Sequence, residues 1–396
     1  MTNDATVGLA TSLVHSGERP DPITGSVAPT LTRSKTYQQP RFGEESTWKY
    51  SRGTNPTRAT LEAKLAGIEG EGHATVFSSG LAAITSLLLT LKPGDHILFS
   101  TEIYGGTYRL LDQVFHNFGL EFSFADFHDR ESVQRELRDT TRYLFVETPS
   151  NPSLHIIDLE VAGELSRETG IPLLVDGTFA PPITTKAFDY GAEVIIYSLS
   201  KYFAGHNDVI GGAILTRNEA LHTRLRFMQS SVGAILSPDE CYRVIQGLKT
   251  LHLRWTHISN SAQQVAEFLQ HHPAIKRALY PGLPTHPHHE RAAKQMKNGF
   301  GGVVAFETHC QNQDILRGFI ESLQQRGTVV YGESLASPET ILSYPLHMSH
   351  RSVPPHDLAA LNITSGFFRL SLGFEQAEDI VEDFSRALAV LDACGS

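Results

Sequence analysis

Between about Leu61 and Trp255, short and largely apolar runs recur with helix-length stretches between them. The runs are Ala74–Phe77, His96–Ser100, Glu121–Ala125, Arg142–Glu147, Pro172–Asp176, Glu193–Ser198 and Gly212–Thr216. Strand-length runs alternating with helical segments predict an α/β unit with a mostly parallel, seven-stranded sheet covered on both faces. From about Thr256 the pattern changes to helices, Ile258–His271, Gln313–Gln325 and Ala377–Leu391, with fewer strands, Val303–Phe306 and Phe367–Leu372. This predicts a smaller C-terminal α+β domain. Residues 1–60 are rich in Thr, Pro, Arg and Gly and show little helical period, so they predict an arm that lies across a neighbouring subunit. The expected division is an arm over 1–60, a ligand-binding domain over 61–256 and a second domain over 257–396.

The length of 396 residues exceeds one ordinary core and agrees with two packed units. A net charge of −10, with no Lys/Arg run, argues against nucleic acid as a partner. No apolar window reaches membrane-spanning length, and Met1–Leu13 lacks a basic region followed by an apolar stretch, so a soluble, unexported protein is expected. Cys241, Cys310 and Cys394 are too few and too scattered for a disulfide framework or a Cys-based metal site, which fits a reducing cytoplasm. His286, His288 and His289 lie close together, but prolines interrupt them and no helical i, i+4 spacing supports a metal site. A solvated loop is the expectation there.

The candidate chemistry gathers at strand ends, where open sheets of this kind place their ligands. Lys201 follows the run ending at Ser198, and burial there would favour its neutral, nucleophilic amine. Asp176 ends the preceding strand, where a carboxylate suits a protonated pyridine nitrogen. Ser78-Ser79-Gly80-Leu81 joins a strand to the helix Leu81–Leu91, so the N–H groups of Gly80 and Leu81 can meet a phosphate at a helix N-terminus. Ser198 and Ser200, two apart, can add hydroxyls to the same side. Taken singly, each has an ordinary reading as a surface lysine or a plain turn. Together they suit an aldehyde cofactor bearing a phosphate. Arg369, a charge inside the apolar run Phe367–Leu372, requires a partner, either a substrate carboxylate or an internal salt bridge.

Several segments then share one order with a known family. They are His15-Ser16-Gly17-Glu18, Tyr50-Ser51-Arg52-Gly53-Thr54-Asn55-Pro56-Thr57, Ser78-Ser79-Gly80-Leu81, Tyr104-Gly105-Gly106-Thr107, Glu147-Thr148-Pro149-Ser150-Asn151-Pro152, Ser198-Leu199-Ser200-Lys201-Tyr202, Glu333-Ser334-Leu335 and Arg369-Leu370-Ser371. The chain resembles the Cys/Met-metabolism enzymes that depend on pyridoxal 5'-phosphate (PLP), from about Leu13 to about Leu391. The resemblance implies the fold type I architecture of PLP-dependent transferases and a homotetramer built from dimers with shared sites. It implies that Lys201 holds PLP, with Asp176 on the pyridine nitrogen and Thr178 beside it. Tyr104 would stack on the ring and serve as acid or base, and Asn151 would hydrogen-bond the phenolic oxygen. Tyr50 and Arg52 would reach the phosphate of the neighbouring subunit, while Arg369, Ser334 and Leu335 would line the substrate site.

Two positions bear on the substrate. Methionine γ-lyases of this family carry a cysteine where this chain has Gly106, whereas members that handle cystathionine share Tyr-Gly-Gly followed by an arginine, here Arg109, and a glutamate, here Glu333. Opposite charges at Arg109 and Glu333 would suit the distal amino-acid end of cystathionine. The chain departs from the family at Gly177, where Asn is usual, at Leu199, where a smaller residue is usual, and at Ala336-Ser337-Pro338, which replaces Gly-Gly. The resemblance therefore implies γ-elimination or γ-replacement on a small sulfur-containing or O-acylated amino acid. Within it, methionine γ-lyase, O-acylhomoserine sulfhydrylase and specialised γ-replacement remain open, as does a catalytically silent PLP-fold protein outside enzymology.

Overall fold

The computed structural model describes residues 7–70, 72–348 and 361–394. Seven strands form the larger sheet: β1 His73–Phe77, β2 His96–Ser100, β3 Glu121–Ala125, β4 Thr141–Glu147, β5 Leu173–Asp176, β6 Val194–Ser198 and β7 Gly212–Thr216. Their order across the sheet is β1-β7-β6-β5-β4-β2-β3. Both pairings of β7 are antiparallel, and the rest are parallel. β2, β5 and β7 are buried along their whole length, which is why they read as continuous apolar runs rather than alternating ones.

The second unit is richer in strands than its sequence suggested. β8 Ile275–Leu279, β9 Val303–Thr308, β10 Val329–Tyr331, β11 Thr340–Ser343 and β12 Phe367–Ser371 make a five-stranded sheet in the order β10-β11-β12-β9-β8. β8 carries the charged Lys276 and Arg277 within its five residues and β10 is three residues long, so neither shows a long apolar run. The expected helix Ile258–His271 is the second half of a helix of 34 residues, Pro238–His271. Ser237 and Glu240 cap its start reciprocally and Pro238 occupies its first turn. Its first half, from Cys241 to Ile258, packs in the core of the larger unit, and Ala262–Leu269 packs in that of the smaller.

Two expectations are corrected here. Cys310 and Cys394 form a disulfide across 84 residues of sequence, with Cα atoms 5.6 Å apart. The end of β9 and the last helical turn meet only in the folded chain, so spacing could not reveal the pair. The histidine run is not a solvated loop: His286 is buried, His288 accepts the N–H of Ile156, and His289 bonds the carbonyl of Pro281. Among the described residues no group of three His, Cys, Asp or Glu is arranged to hold a metal, and no helix is long and apolar enough to cross a membrane.

Candidate active site

The turn after β6 carries Lys201, and its Nζ donates to Ser334 Oγ at 2.9 Å. Burial, with the nearby Arg369 charge second, lowers the Lys201 amine to about 8. Ser334 lies in the loop between β10 and β11 with φ of +101°, a backbone region that few non-glycine residues adopt. Its carbonyl accepts Arg369 Nη2 at 2.7 Å, so one residue links the amine to the guanidinium. Arg369 also donates to Asn151 Oδ1 at 2.7 Å and Ser343 Oγ at 3.1 Å, while its buried Nε has no partner. Burial brings this guanidinium down to about 10, which still leaves it charged at neutral pH. An internal salt bridge is therefore not what satisfies it: its partners are neutral.

Asp176 is buried at the end of β5, where its Oδ1 accepts the N–H of Thr178 at 3.0 Å. Thr178 Oγ1 in turn accepts the N–H of Ser198, tying the Asp176 turn to the strand that leads to Lys201. Among the described residues no Lys or Arg pairs with Asp176. Ser79 caps the helix Gly80–Leu88 by accepting the N–H of Ala82. The N–H groups of its first turn are those a helix leaves without internal partners. A Cβ at Gly80 would stand 3.4 Å from Ser198 Cβ, so the Gly80–Leu81 turn and Ser198 share one cradle. Ser200 does not join it in the same way, because its hydroxyl is engaged with the N–H and carbonyl of Gly211.

Tyr104 precedes the helix Gly105–Gln113 and keeps 40 % of its surface exposed. Burial of the remainder raises its phenol above the ordinary value, with Arg109 opposing and Glu333 reinforcing that shift. Arg109 and Glu333, both exposed and on different elements, thus lie near enough to Tyr104 for their charges to act on it. A Cβ at Gly106 would fall 2.4 Å from the Tyr104 ring, so a cysteine there would displace the ring from where it stands. Leu335 is buried beside Ser334, and Ala336 N donates to Ser371 Oγ at 3.0 Å. Ala336 holds φ of +64° where the family's glycine would be unstrained.

At Gly177 a Cβ would come within 2.8 Å of the Tyr197 ring, whose hydroxyl donates to Glu69 at 2.5 Å. Within a single chain, Arg52 lies over the Tyr50 ring and donates to the carbonyl of Ser230 at 2.7 Å. Among the described residues, no hydrogen bond or ion pair joins these two residues to the Lys201 site within one chain.

Glu147 was not singled out from the sequence. Its two oxygens accept the N–H groups of Tyr104, at 2.6 Å, and Asn151, at 3.1 Å, so it sets both flanking residues. The available signal was its place at the end of a buried strand, the position Asp176 holds on the next one.

Residues 10–389 match the model of the Cys/Met metabolism PLP-dependent enzymes. The chain belongs to that family. It is 37% identical over 378 residues to a cystathionine gamma-lyase of Bacillus subtilis, covering 96% of this chain and 98% of the relative. A cystathionine beta-lyase of Coxiella burnetii is 38% identical over 382 residues, covering 96% of this chain and 97% of the relative. Among solved structures, the cystathionine gamma synthase of Xanthomonas oryzae pv. oryzae in complex with aminoacrylate and cysteine superposes with a TM-score of 0.94 at 33% identity, covering 98% of this chain and all of that one. The PLP-dependent fold and enzyme class expected from sequence hold. The donor set suits the cofactor: a helix start and hydroxyl for a phosphate, a buried acid without a cation for a protonated ring nitrogen, and an amine poised near neutrality.

Proposed function

We propose that this PLP enzyme acts at the γ-carbon of a sulfur-containing amino acid, with cystathionine as the substrate or product in transsulfuration. The observation that carries this reading is the linkage of Lys201 and Arg369 through Ser334, close enough to Tyr104 that the charges of Arg369, Arg109 and Glu333 all act on its phenol. When bound, PLP supplies an aldehyde for the substrate amine and an electron sink for negative charge developing at carbon.

Lys201 is the residue that would hold it. Gly80, Leu81 and Ser198 would receive the phosphate, Asp176, braced by Thr178, the ring nitrogen, and Asn151 the phenolic oxygen, with Ser200 supporting the turn through Gly211. An α-carboxylate would take the free Nε and the fork of Arg369, leaving Asn151 to the cofactor. Lys201, with its amine near 8, can accept and return protons at neutral pH. Removal of a proton from Cβ as well as Cα separates γ from β chemistry, and Lys201 would serve as the base for both. Tyr104 keeps its proton because its phenol is raised, and so serves as a donor to a departing group. Arg109 and Glu333 would meet the distal carboxylate and ammonium of cystathionine.

The arm supports a shared site. Ile23, Val27 and Phe42 are exposed to 92%, 81% and 108% of their reference surfaces, with no core of their own. In this reading a neighbouring subunit of a homotetramer covers them, and Tyr50 and Arg52 cross to its phosphate. Residues 61–256 and 257–396 then act as cofactor and substrate halves. A cytoplasmic location goes with the reading, and there Cys310 and Cys394 would stand as a neighbouring thiol pair.

The test is the keto acid released by the PLP-loaded enzyme from cystathionine, separated by chromatography. 2-Oxobutanoate is expected, and Glu333→Ala should weaken cystathionine use more than use of short γ-substituted amino acids. Pyruvate as the main product would overturn the γ assignment.

A further inference from the structure

A cavity of about 190 Å³ opens beside the Asn151 loop, lined by Ser100, Glu102, Asp126, His128, His155 and His288 among others. The ring of His288 stands 4.6 Å from that of His128, 5.2 Å from His155 and 5.8 Å from His286, centroid to centroid. Nothing in the proposed chemistry uses these imidazoles.

Three of them are fixed in one protonation state by their partners. His288 Nδ1 accepts the N–H of Ile156 at 3.1 Å, His286 Nδ1 accepts the N–H of His288 at 3.1 Å, and His128 Nδ1 lies 2.8 Å from Arg291 Nη1, which can only donate. Each Nδ1 therefore offers a lone pair, and the ring is neutral with its proton on Nε2. A second proton would set N–H against N–H in all three places. Nε2 of His128 is buried without a hydrogen-bond partner, and although a bond to the Leu154 backbone favours a proton on His286, burial outweighs it.

The surrounding charges divide. Asp126 and Asp158 favour a proton on His128, and Glu102 stands 3.4 Å from the half-exposed His155. Arg291, His155, His289 and the histidines themselves oppose it. Burial outweighs the rest, lowering His286 to about 4 and His288 to about 3.

The loop these groups hold is the one that carries Asn151. Ile156 is tied to His288, Ser150 Oγ to Glu102, and the Asn151 N–H to Glu147, while Asn151 Oδ1 receives Arg369. We propose that His288, backed by His128 and His286, is a positioning residue for the Asn151 loop, and that acid releases its hold. Opening the loop lets each imidazole regain its ordinary affinity for protons, near pH 6.5. Below that pH the open form binds more protons than the closed one, and every histidine so freed makes opening about tenfold easier per pH unit. On the function proposed above, the consequence under mild acid is that Asn151 is held less firmly for the cofactor.

Amide hydrogen exchange of the PLP-loaded enzyme, followed by mass spectrometry between pH 6.5 and 5 and corrected for the intrinsic pH dependence of exchange, reads the loop directly. It does not depend on which substrate is turned over. The opening constant of segment 150–159 is expected to rise about tenfold or more per pH unit, with β9 as the unaffected control. His288→Gln, whose side-chain oxygen can accept the Ile156 N–H without titrating, should keep the protection at pH 7 and lose about one tenfold step per pH unit from the slope. His288→Leu should lose the protection at every pH. Absence of excess exchange in the unmodified enzyme, or an unchanged slope in His288→Gln, would overturn the proposal.

Discussion

Glu147 and Asp176 are register partners at the carboxyl ends of β4 and β5, two buried carboxyl groups side by side. Burial raises the proton affinity of both, and repulsion from Asp176 raises Glu147 further. That repulsion makes Glu147 the harder of the two to ionise. Because Glu147 accepts from Tyr104 and Asn151 at once, it sets the spacing of the two residues that would flank the cofactor.

Glu147→Gln tests this pairing. The amide retains one acceptor and turns a donor towards the other N–H, leaving that group unpaired in the interior. A loss of about 1–3 kcal/mol is expected in denaturant unfolding, together with faster loss of PLP on dialysis. An unchanged unfolding midpoint would mean that the two backbone bonds contribute nothing.

Ser334→Ala removes the oxygen that receives the Lys201 ammonium. Hydrogen bonds to charged groups contribute about 1.5–3 kcal/mol, so kcat should fall by roughly ten- to a hundredfold while KM changes little. Borohydride reduction should still fix the pyridoxyl group on the Lys201 peptide, as seen by mass spectrometry. If KM rises with kcat untouched, Ser334 serves substrate binding instead of the amine.

Glu69 offers a test in pH. Burial raises its carboxyl to about 7, although the Tyr197 hydroxyl donates to it, and its other oxygen has no partner. Its folded value lies above its unfolded one, so its contribution to stability is full below about pH 4.5 and declines as pH rises through 7. Relative to Glu69→Gln, which cannot ionise, the unmodified protein should lose up to about 1.4 kcal/mol per pH unit across that window. Denaturant midpoints of the two proteins at pH 5, 6 and 7 measure the divergence. Parallel curves would place the buried charge elsewhere.

The larger sheet was legible because most of its strands are buried on both faces, and burial writes itself as uninterrupted apolar runs. Lys201 and Asp176 were legible for a related reason, since a charge at the end of such a run is conspicuous. Ser200 shows the limit of that logic: alternation placed its hydroxyl beside that of Ser198, but a loop eleven residues on supplies Gly211 and engages it. The short strands β10 and β11, the Cys310–Cys394 pair and the clustered histidines were hidden for another reason. Each depends on positions that are distant in the chain and adjacent only after folding, and a single sequence does not record who meets whom. A family segment contains Glu147, and the histidine run contains His286, but neither revealed what these residues hold.

The helix Pro238–His271 has 34 residues, which at about 1.5 Å each make a rod roughly 50 Å long. Both cores are threaded on it, and the change of pattern at Thr256 falls along its length. It works as a common axle. A chain cut at that point would split a continuous helix and leave an apolar stripe bare on each fragment, so neither half is expected to fold alone. Any closing of the smaller unit over Lys201 must turn about this rod or bend it, with the Ser334 loop as the part that travels.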